Sequence, residues 1–324
     1  MSVADVGIHG NGVAACCCAH LLQRAGLTVG WGETRRRPLP ALLLGNAAQA
    51  LIRDIFGKKD LFRDGHRISS RVVAWGGRDA VTLDHSAVVV SEQQLLERLR
   101  PAGLLNDVNA GWTIFASSPA DTTEHAFGTR IATALPVELS GGAETCAIES
   151  LTTGWLFLLP CSAASGWLLG IGGAPEDLLA QSSVVSKRIA HAGAAVGSFA
   201  AYPRISMPLA APGWLACGGA AMSFDPICGD GAGNAVREAI LASAVVRAAL
   251  NGEQSDPLLS HYQDRLKLGF RRHLELCLSF YRSGGRTPWW EREEAALLRG
   301  IEWCGNEPRF RYQLSGFDLR AIPV

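Results

Sequence analysis

The chain opens with a short apolar run, a glycine turn and an amphipathic repeat. Residues 6–9 are largely apolar and predict a buried strand. Apolar side chains then recur every four positions, which predicts a helix over 12–25, and Gly26 stands where a left-handed helix end is expected. Residues 27–31 predict a second strand. The order strand, helix, strand indicates a βαβ unit and therefore an α/β fold.

Farther along, helical spacing alternates with strand-like runs. Residues 126–200 are rich in β-formers and predict an antiparallel meander, and a hairpin turn is indicated at Gly76–Asp79. Predicted strands cover 67–75, 80–83, 88–90, 112–116, 129–139, 145–151, 154–159, 166–171 and 214–217. Predicted helices cover 41–56, 91–100, 176–192, 231–251, a long stretch from Pro257, and a charged segment ending near Arg299.

This order of elements predicts an α/β protein with three parts. A Rossmann-like cofactor domain is discontinuous in sequence, an antiparallel β-sheet substrate domain is inserted into it, and a helical region follows at the C-terminus. The predicted boundaries are 1–66, 84–125 and 205–255 for the cofactor domain, 67–83 and 126–204 for the substrate domain, and 256–324 for the helical region.

The first turn carries the pattern G-x-G-x-x-A. Gly10 permits the tight turn, Gly12 lets a diphosphate approach the backbone, and Ala15 lets the helix lie close to the strand. Glu33 follows the second strand, where an acid is expected to bind ribose hydroxyls. The sequence therefore predicts a dinucleotide site. Its candidate residues are Gly10, Asn11, Gly12, Val13, Ala14, Ala15, Glu33, Thr34 and Arg35.

A second glycine-rich segment follows the predicted strand at 214–217. Residues 218–233 are rich in glycine and lead into an alanine-rich helix. The start of that helix offers N–H donors and positive potential, which suit a flavin ring that becomes anionic on reduction. The candidate residues here are Gly219, Ala220, Asp225, Pro226, Gly229, Gly231, Ala232 and Gly233.

With both motifs in place, the chain resembles the FAD-dependent monooxygenase superfamily of the p-hydroxybenzoate hydroxylase type. That superfamily pairs an N-terminal G-x-G-x-x-G/A with a late G-D-A-A…D-P-x-x-G-x-G segment. The resemblance covers most of residues 1–255. It implies FAD, with the AMP half at the first motif and the isoalloxazine near the second. Gly219 replaces the aspartate that usually holds the ribityl chain, which predicts weaker FAD binding.

Within the superfamily, the chain is most similar to the branch of flavin-dependent halogenases and of monooxygenases that mature quinone cofactors. Residues 154–160, GWLFLLP, resemble the G-W-x-W-x-I-P stretch of that branch, with Phe157 in place of the second tryptophan. The pair Trp289–Trp290 also fits it. Trp155, Phe157, Trp289 and Trp290 are therefore candidate walls of a substrate pocket, with core packing as the alternative.

The resemblance implies that the protein is an oxidoreductase that hydroxylates an aromatic substrate, peptidyl tryptophan among the candidates, through a flavin hydroperoxide. Electrons would come from an external flavin reductase or from NAD(P)H. Alternatives are a flavin dehydrogenase or oxidase, a flavin-dependent halogenase, and a weakly FAD-binding partner protein without catalysis. No catalytic residue is assigned. His125 and His191 are weak candidates for a base, and Lys58 and Lys59 for a halogenase lysine.

Composition limits the other classes. The chain of 324 residues carries 30 basic and 30 acidic side chains, which argues against nucleic acid or an acidic membrane as partner. No apolar stretch is long enough to span a membrane, and no leader is indicated. Nine cysteines without a C-x-x-C arrangement are expected to be free thiols in a reducing compartment, so we expect a cytoplasmic protein without a metal.

Overall fold

The computed structural model describes residues 3–34, 38–117, 122–305, 308 and 310–322. Seven α-helices lie in these ranges, and none of them is long and apolar enough to cross a bilayer. The helices are α1 (Val13–Arg24), α2 (Asn46–Phe56), α3 (Glu92–Leu99), α4 (Pro175–Gln181), α5 (Gly231–Leu250), α6 (Ser255–Gly284) and α7 (Pro288–Cys304).

The strands of the described residues form four sheets. In chain order they are β1 (Val6–His9), β2 (Val29–Gly32), β3 (Leu42–Gly45), β4 (His66–Ala74), β5 (Val81–Val90), β6 (Trp112–Phe115), β7 (Thr123–Ala126), β8 (Ile131–Leu139), β9 (Thr145–Leu151), β10 (Gly154–Pro160), β11 (Ser165–Ile171), β12 (Ile189–Ala192), β13 (Gly197–Ala200), β14 (Arg204–Met207), β15 (Ala210–Ala211), β16 (Trp214–Ala216), β17 (Met222–Ser223), β18 (Tyr312–Ser315) and β19 (Asp318–Ala321).

The first sheet is the predicted Rossmann-like sheet. Its order is β15-β16-β6-β1-β2, and the four strands from β16 to β2 are parallel. Val6 of β1 lies opposite Val29 of β2 and Trp112 of β6. Helix α5 packs against α1, so the alanine-rich helix and the first helix meet. Strand β16 pairs with β6 although 98 residues, 116–213, lie between the two strands in the sequence. The Rossmann-like part is therefore discontinuous in sequence.

The second sheet is the larger one. Its order is β12-β8-β11-β10-β9-β4-β5-β3, and β13 also pairs with β8. Strands β9 to β11 form an antiparallel meander as predicted, with Phe157 opposite Ile148 and Leu169. The predicted meander is wrong for β8, which pairs with β11 and not with β9, because the chain crosses over between β8 and β9. Only the β4–β9 pairing among those described is parallel in this sheet. The meander and the first hairpin, distant in sequence, therefore share one sheet.

The hairpin predicted around Gly76–Asp79 is present, but its second strand is longer than predicted. Strand β5 runs without interruption through the separately predicted apolar run at 88–90. The predicted domain boundary between residues 83 and 84 thus falls inside one strand. The register of the β4–β5 pairing shifts by a bulge between Ile68 and Ser70.

Residues 41–45 do not belong to a helix, as was predicted. Leu42–Gly45 form β3, and Leu43 lies opposite Val89 in β5. A short run of leucines has no period that distinguishes a buried strand from a buried helix. The pairing with β5 decides the outcome, and helix α2 begins only at Asn46.

The predicted helix over 176–192 is also wrong in its second half. Helix α4 ends at Gln181, and the carboxylate of Glu149 in β9 accepts hydrogen bonds from the amides of 183–185 at 2.8–3.1 Å. These bonds replace the helical ones. The chain then turns back, and Ile189–Ala192 form β12 on the edge of the large sheet.

The C-terminal region is mainly helical, as predicted, and it ends in an unpredicted hairpin, β18–β19. Helices α6 and α7 pack against each other closely. A Cβ added at Gly300 of α7 would lie 2.8 Å from Phe127 and 2.9 Å from Leu274. The glycine therefore sets the separation of the two helices.

Candidate functional site

The candidate site begins where the parallel strands end. Gly10 follows β1, Thr34 follows β2 and Ser117 follows β6, so the three meet at the carboxyl edge of the first sheet. The Thr34 and Ser117 hydroxyls lie 2.7 Å apart, and the Asn11 side-chain amide donates to the Thr34 carbonyl over 3.1 Å. Ligands of open α/β sheets bind at this kind of crevice.

The two glycines of the first motif have the geometry that a close approach requires. Gly10 has φ +143°, and a Cβ there would lie 2.8 Å from the Ser117 hydroxyl oxygen. Gly12 is the N-cap of α1 in an extended conformation, and no side chain among the described residues bonds to this cap. Ala15 is fully buried against the sheet. The amides of the first turn of α1 therefore face the crevice, and no described residue accepts a hydrogen bond from them.

The acid predicted for ribose lies at the same edge. Glu33 forms an ion pair with Arg100 at 2.7 Å, and both side chains are largely exposed. The Arg100 guanidinium also lies over the Trp31 ring. The pair places a carboxylate beside Thr34 at the end of β2. The other candidate here, Arg35, lies outside the described residues.

The second motif faces the first one across the crevice. Residues Gly218–Ala220 form a single 3₁₀ turn, and Gly218 has φ +57°. A Cβ at Gly218 would lie 2.8 Å from the Ala14 Cβ, so this glycine lets the turn approach α1. A Cβ at Gly219 would meet no atom within 4 Å. The position that usually carries an aspartate in the superfamily thus borders open space.

A buried acid supports this turn from α5. The Gly218 amide donates to Glu238 Oε2 over 2.7 Å, and Glu238 is only 6% exposed. Its other carboxyl oxygen is buried and has no partner among the described residues. Burial raises the pKa of Glu238 to about 8, although the Gly218 amide opposes the shift. Glu238 is therefore mostly protonated at neutral pH.

The aspartate of the D-P segment is buried in an ionic network. Asp225 Oδ2 accepts from Arg130 Nε at 2.7 Å and from the Tyr281 hydroxyl at 2.9 Å, while Oδ1 accepts the Ile227 amide. Arg130 also pairs with Glu293 of α7. The Asp225 side chain thus anchors the start of the glycine-rich loop, which is a positioning role.

Arg130 holds this network together. Its side chain is 1% exposed. Burial lowers the pKa of Arg130, but Tyr281, Asp225 and Glu293 outweigh that effect and raise it. Sequence reasoning missed Arg130, Tyr281 and Glu293, because they come from three separate elements and carry no local motif.

The loop after Asp225 leads into α5. Pro226 begins a 3₁₀ turn, Gly229 follows with φ +64°, and the N-cap Asp230 makes no capping bond to α5 with its side chain. Instead, Asp230 pairs with Arg237 at 2.7 Å. A Cβ at Gly231 would meet no atom within 4 Å. Ala232 and Gly233 complete the first turn, whose free amides and dipole favour an anion.

The four candidate aromatic residues are buried to different degrees. Trp155 and Trp290 are almost fully buried, and Trp289 is 9% exposed. The Trp155 indole donates to the Tyr281 hydroxyl at 3.2 Å, and the Trp290 indole donates to a backbone carbonyl at 2.9 Å. Phe157 is half-buried on β10. Trp155, Trp289 and Trp290 form one packed group with Trp75 and Tyr281.

The weaker candidates lie at scattered places. The ring of His125 in β7 lies 4.7 Å from that of Trp303, and His191 belongs to the edge strand β12. Lys58 and Lys59 follow α2 at the surface, where Lys58 Nζ donates to the Arg98 carbonyl at 2.8 Å. The structure does not bring any of the four to the crevice described above.

One cavity borders the second motif. It has a volume of about 320 Å³ and lies between α5 and α6, next to the terminal hairpin. Glu238 and Asn234 of α5 line it together with Phe224 and Met222. Its walls are mostly apolar, with Arg237 and Arg265 among them.

Three side chains with metal-ligand atoms lie beside the same loop. Cys228, His273 and Cys277 have their sulfur and nitrogen atoms within 4.8 Å of one another. However, His273 Nε2 accepts the Asp225 amide at 2.9 Å, so the lone pair of that nitrogen is already engaged. All nine cysteines are free thiols.

The residues present fit a dinucleotide such as FAD. The uncapped first turn of α1 faces the crevice, and open space adjoins both Gly219 and Gly231. A second uncapped helix start lies across the crevice in α5. The two helix starts and the bare backbone between them supply donors for a diphosphate and for a flavin ring.

Comparison with known proteins supports the fold. No family model matches the chain, and no curated protein matches its sequence. Among solved structures, the peptidyl tryptophan dihydroxylase QhpG is 19% identical, with TM-score 0.76 over 90% of this chain and 79% of that one. The flavin-dependent halogenase CmlS is 15% identical, with TM-score 0.77 over 94% and 71%.

A third similar structure is PqsL from Pseudomonas aeruginosa, described as a probable FAD-dependent monooxygenase. It is 15% identical, with TM-score 0.64 over 91% of this chain and 99% of that one. At these identities the likeness concerns the arrangement of the backbone. The chain therefore has the fold of the FAD-dependent monooxygenases and halogenases, as its two glycine motifs predicted.

Proposed function

We propose that this protein is an FAD-dependent oxidoreductase, and specifically a monooxygenase that hydroxylates an aromatic substrate. The observation that carries the proposal is the uncapped first turn of α1, which faces Gly219 across a crevice bordered by bare backbone. If the first glycine turn were only structural, there would be no reason for a second uncapped helix start, that of α5, on the opposite side of the crevice. The shared fold adds support, since CmlS and PqsL are flavin-dependent enzymes by their descriptions and QhpG is described as a dihydroxylase.

The first motif would bind the AMP half of the cofactor. The amides of residues 12–15 would donate to the diphosphate, and the positive end of the α1 dipole would favour its charge. Glu33 would accept hydrogen bonds from the ribose hydroxyls once its exposed ion pair with Arg100 opens. Opening that pair costs about 1 kcal/mol or less. Asn11, Thr34 and Ser117 shape the edge of this site through their mutual hydrogen bonds.

The second motif would hold the flavin ring. Residues 229–233 present bare backbone and the start of α5, and Asp225 fixes the loop through Arg130. When bound, FAD supplies the redox chemistry that activates dioxygen. The chain contributes binding, orientation and exclusion of water. We place the substrate between the large sheet and the ring, with the half-buried Phe157 as a candidate wall. Trp155, Trp289 and Trp290 are buried in one packed aromatic group, which favours core packing for them.

The proposed substrate class is taken from the shared fold. QhpG is described as acting on peptidyl tryptophan, which makes a tryptophan-containing peptide the first substrate to test. Electrons would come from an external flavin reductase or from NAD(P)H. We further propose that the protein works in the cytoplasm, where its nine thiols remain reduced.

The test uses the purified protein with FAD, a flavin reductase, NADH, isotope-labelled dioxygen and added bromide. Small aromatics and tryptophan-containing peptides are offered in turn, and products are analysed by mass spectrometry. A monooxygenase incorporates one labelled oxygen atom into its product. An oxidised product without the label indicates a dehydrogenase or oxidase, and a product that incorporates added bromide indicates a halogenase. Either result contradicts the monooxygenase proposal.

A second candidate function follows from Gly219. Without the usual aspartate, the protein would bind FAD weakly and would act as a binding or maturation partner for another protein. This alternative predicts no turnover with any donor, even at saturating FAD.

A further inference from the structure

Two thiols meet directly behind the glycine-rich loop. Cys228 ends the 3₁₀ turn between Asp225 and Gly229, and Cys277 lies on α6. Their sulfur atoms are 3.6 Å apart. Cys228 is half-buried and Cys277 is fully buried, so solvent can reach this pair only through Cys228.

The distance suits formation of a bond with little movement. A disulfide requires a sulfur–sulfur distance of about 2.05 Å, so the two atoms must approach by about 1.5 Å. Cys228 precedes Gly229, which has φ +64°, and a loop at such a position can adjust more easily than a helix can. Cys277 is fixed in the middle of α6.

The chemistry of the two sulfurs is complementary. Contact with the Cys277 thiol lowers the pKa of Cys228 to about 6, although burial opposes the shift. Burial raises the pKa of Cys277 well above its ordinary value. Cys228 therefore has more thiolate character at neutral pH than an ordinary cysteine, and Cys277 has less. By contrast, burial raises the pKa of the half-buried Cys161 to about 11.

A metal site is the obvious alternative for this cluster, since His273 Nε2 lies 3.3 Å from the Cys277 sulfur. The same nitrogen accepts a hydrogen bond from the Asp225 backbone amide at 2.9 Å. A metal ion bound to this nitrogen would have to displace that hydrogen bond and leave a buried amide without a partner, which is unfavourable. The arrangement favours a pair of reactive thiols.

We propose that Cys228 and Cys277 form a peroxide-sensitive dithiol that closes to a disulfide between the glycine-rich loop and α6. In the first step the Cys228 sulfur attacks hydrogen peroxide. A sulfur–oxygen bond forms, the oxygen–oxygen bond breaks, hydroxide leaves, and Cys228 becomes a sulfenic acid.

In the second step the Cys277 sulfur attacks Cys228. The sulfur–sulfur bond forms and the sulfur–oxygen bond breaks. The hydroxide that departs takes up the proton of the Cys277 thiol and leaves as water. The net reaction consumes one peroxide and oxidises the two sulfurs by two electrons. The product ties the loop that we assign to the flavin ring to α6, so oxidation would alter the cofactor site.

The experiment uses the reduced full-length protein, treated stepwise with hydrogen peroxide and then mapped by peptide mass spectrometry without reduction. We expect a linked peptide that contains Cys228 and Cys277, loss of two thiols, and full reversal by dithiothreitol. Cys228 should react about 10- to 100-fold faster than Cys161, because its larger thiolate fraction outweighs its lower nucleophilicity. In Cys277→Ser, a dimedone adduct should accumulate on Cys228.

Cys161→Ser is the matched control, and it should form the linked peptide as the wild type does. Retention of both thiols at excess peroxide would overturn the proposal, as would over-oxidation of Cys228 with Cys277 intact. The proposal would also be overturned if one equivalent of added zinc protected both thiols from peroxide until a chelator removed it, because the cluster would then be a metal site. If Cys277→Ser does not fold, the wild-type peptide map decides alone. Added peroxide needs no FAD, so this test can fail or succeed independently of the proposed function.

Discussion

Gly219 is the residue at which this chain departs from the superfamily, and the structure leaves room to reverse the change. A side chain there meets no atom within 4 Å, and the backbone does not adopt a left-handed conformation. We predict that Gly219→Asp strengthens FAD binding by about 10- to 100-fold, because one charge-assisted hydrogen bond contributes roughly 1.5–3 kcal/mol. Titration of flavin fluorescence measures the affinity.

Gly197→Asp provides the matched control, because Gly197 also borders open space but lies on β13 at the edge of the large sheet. That substitution should leave FAD affinity unchanged. An equal effect of both substitutions would mean that net charge, rather than position, controls binding. No effect of Gly219→Asp on a protein that already binds FAD tightly would refute the idea that Gly219 weakens the site.

Glu238 gives a prediction on pH and stability. Its pKa is about 8 in the folded protein and about 4.5 in the unfolded chain, so the folded state holds the proton more tightly. Glu238 by itself should therefore lower the free energy of unfolding as pH rises from about 5 to 8, by about 1 kcal/mol per pH unit, and its contribution should level off above 8.

In Glu238→Gln this contribution should disappear, because the amide does not titrate, so the slopes of the two proteins should differ by about 1 kcal/mol per pH unit. The opposite contribution of Cys228, whose pKa is lowered in the fold, is present in both proteins and cancels in the comparison. Urea unfolding of both proteins at pH 6, 7 and 8 measures how the free energy of unfolding changes with pH in each. Equal slopes in the two proteins would show that Glu238 is ionised in the fold.

Residue-level prediction from sequence succeeded where the backbone itself imposes the requirement. The turn at Gly10 and the left-handed conformation of Gly26 follow from local patterns, and the structure confirms both. The partners of Glu238 and Arg130 could not be predicted. Gly218 is 20 residues from Glu238, and Asp225 is 95 residues from Arg130, so only the folded chain brings them together.

At the level of elements, two glycines in the C-terminal helices should respond in opposite ways to alanine. Gly300 of α7 is buried, and a Cβ there would crowd Phe127 and Leu274 at 2.8–2.9 Å. Gly269 of α6 is exposed, and a Cβ there meets nothing within 4 Å. We predict that Gly300→Ala destabilises the protein by about 1–2 kcal/mol and that Gly269→Ala stabilises it by up to about 1 kcal/mol. Thermal and urea unfolding report both, and destabilisation by both substitutions would contradict the packing described for α6 and α7.

Elements with a clear period were predicted well, including α1, α5 and the strands β8 to β11, although the position of β8 beside β11 was not predicted. The failures share one cause. Residues 42–45 and 189–192 became strands because distant segments pair with them, and Glu149 ends α4 through bonds to a loop. Hydrophobic periodicity describes one segment at a time and does not report such partners.

At the level of the whole molecule, Arg130 joins parts that are far apart in sequence. It connects the start of β8 with the Asp225 loop and with α6 and α7 through Tyr281 and Glu293. We predict that Arg130→Ala destabilises the protein by about 3–5 kcal/mol, because two buried carboxylates lose their partner. Arg282→Ala, which breaks an exposed pair with Glu294, should cost about 1 kcal/mol or less. Similar losses in the two variants, measured by urea unfolding, would contradict the role of the buried network.

The central claim is that the crevice between the two helix starts binds FAD. The most direct test is the visible absorption spectrum of the freshly purified protein, recorded again after excess FAD is added and unbound FAD is removed by gel filtration. We predict a flavin spectrum that stays with the protein, with about one FAD per chain after addition. A protein fraction without flavin absorption after that treatment would contradict the claim, and the non-catalytic partner role would then become the better account.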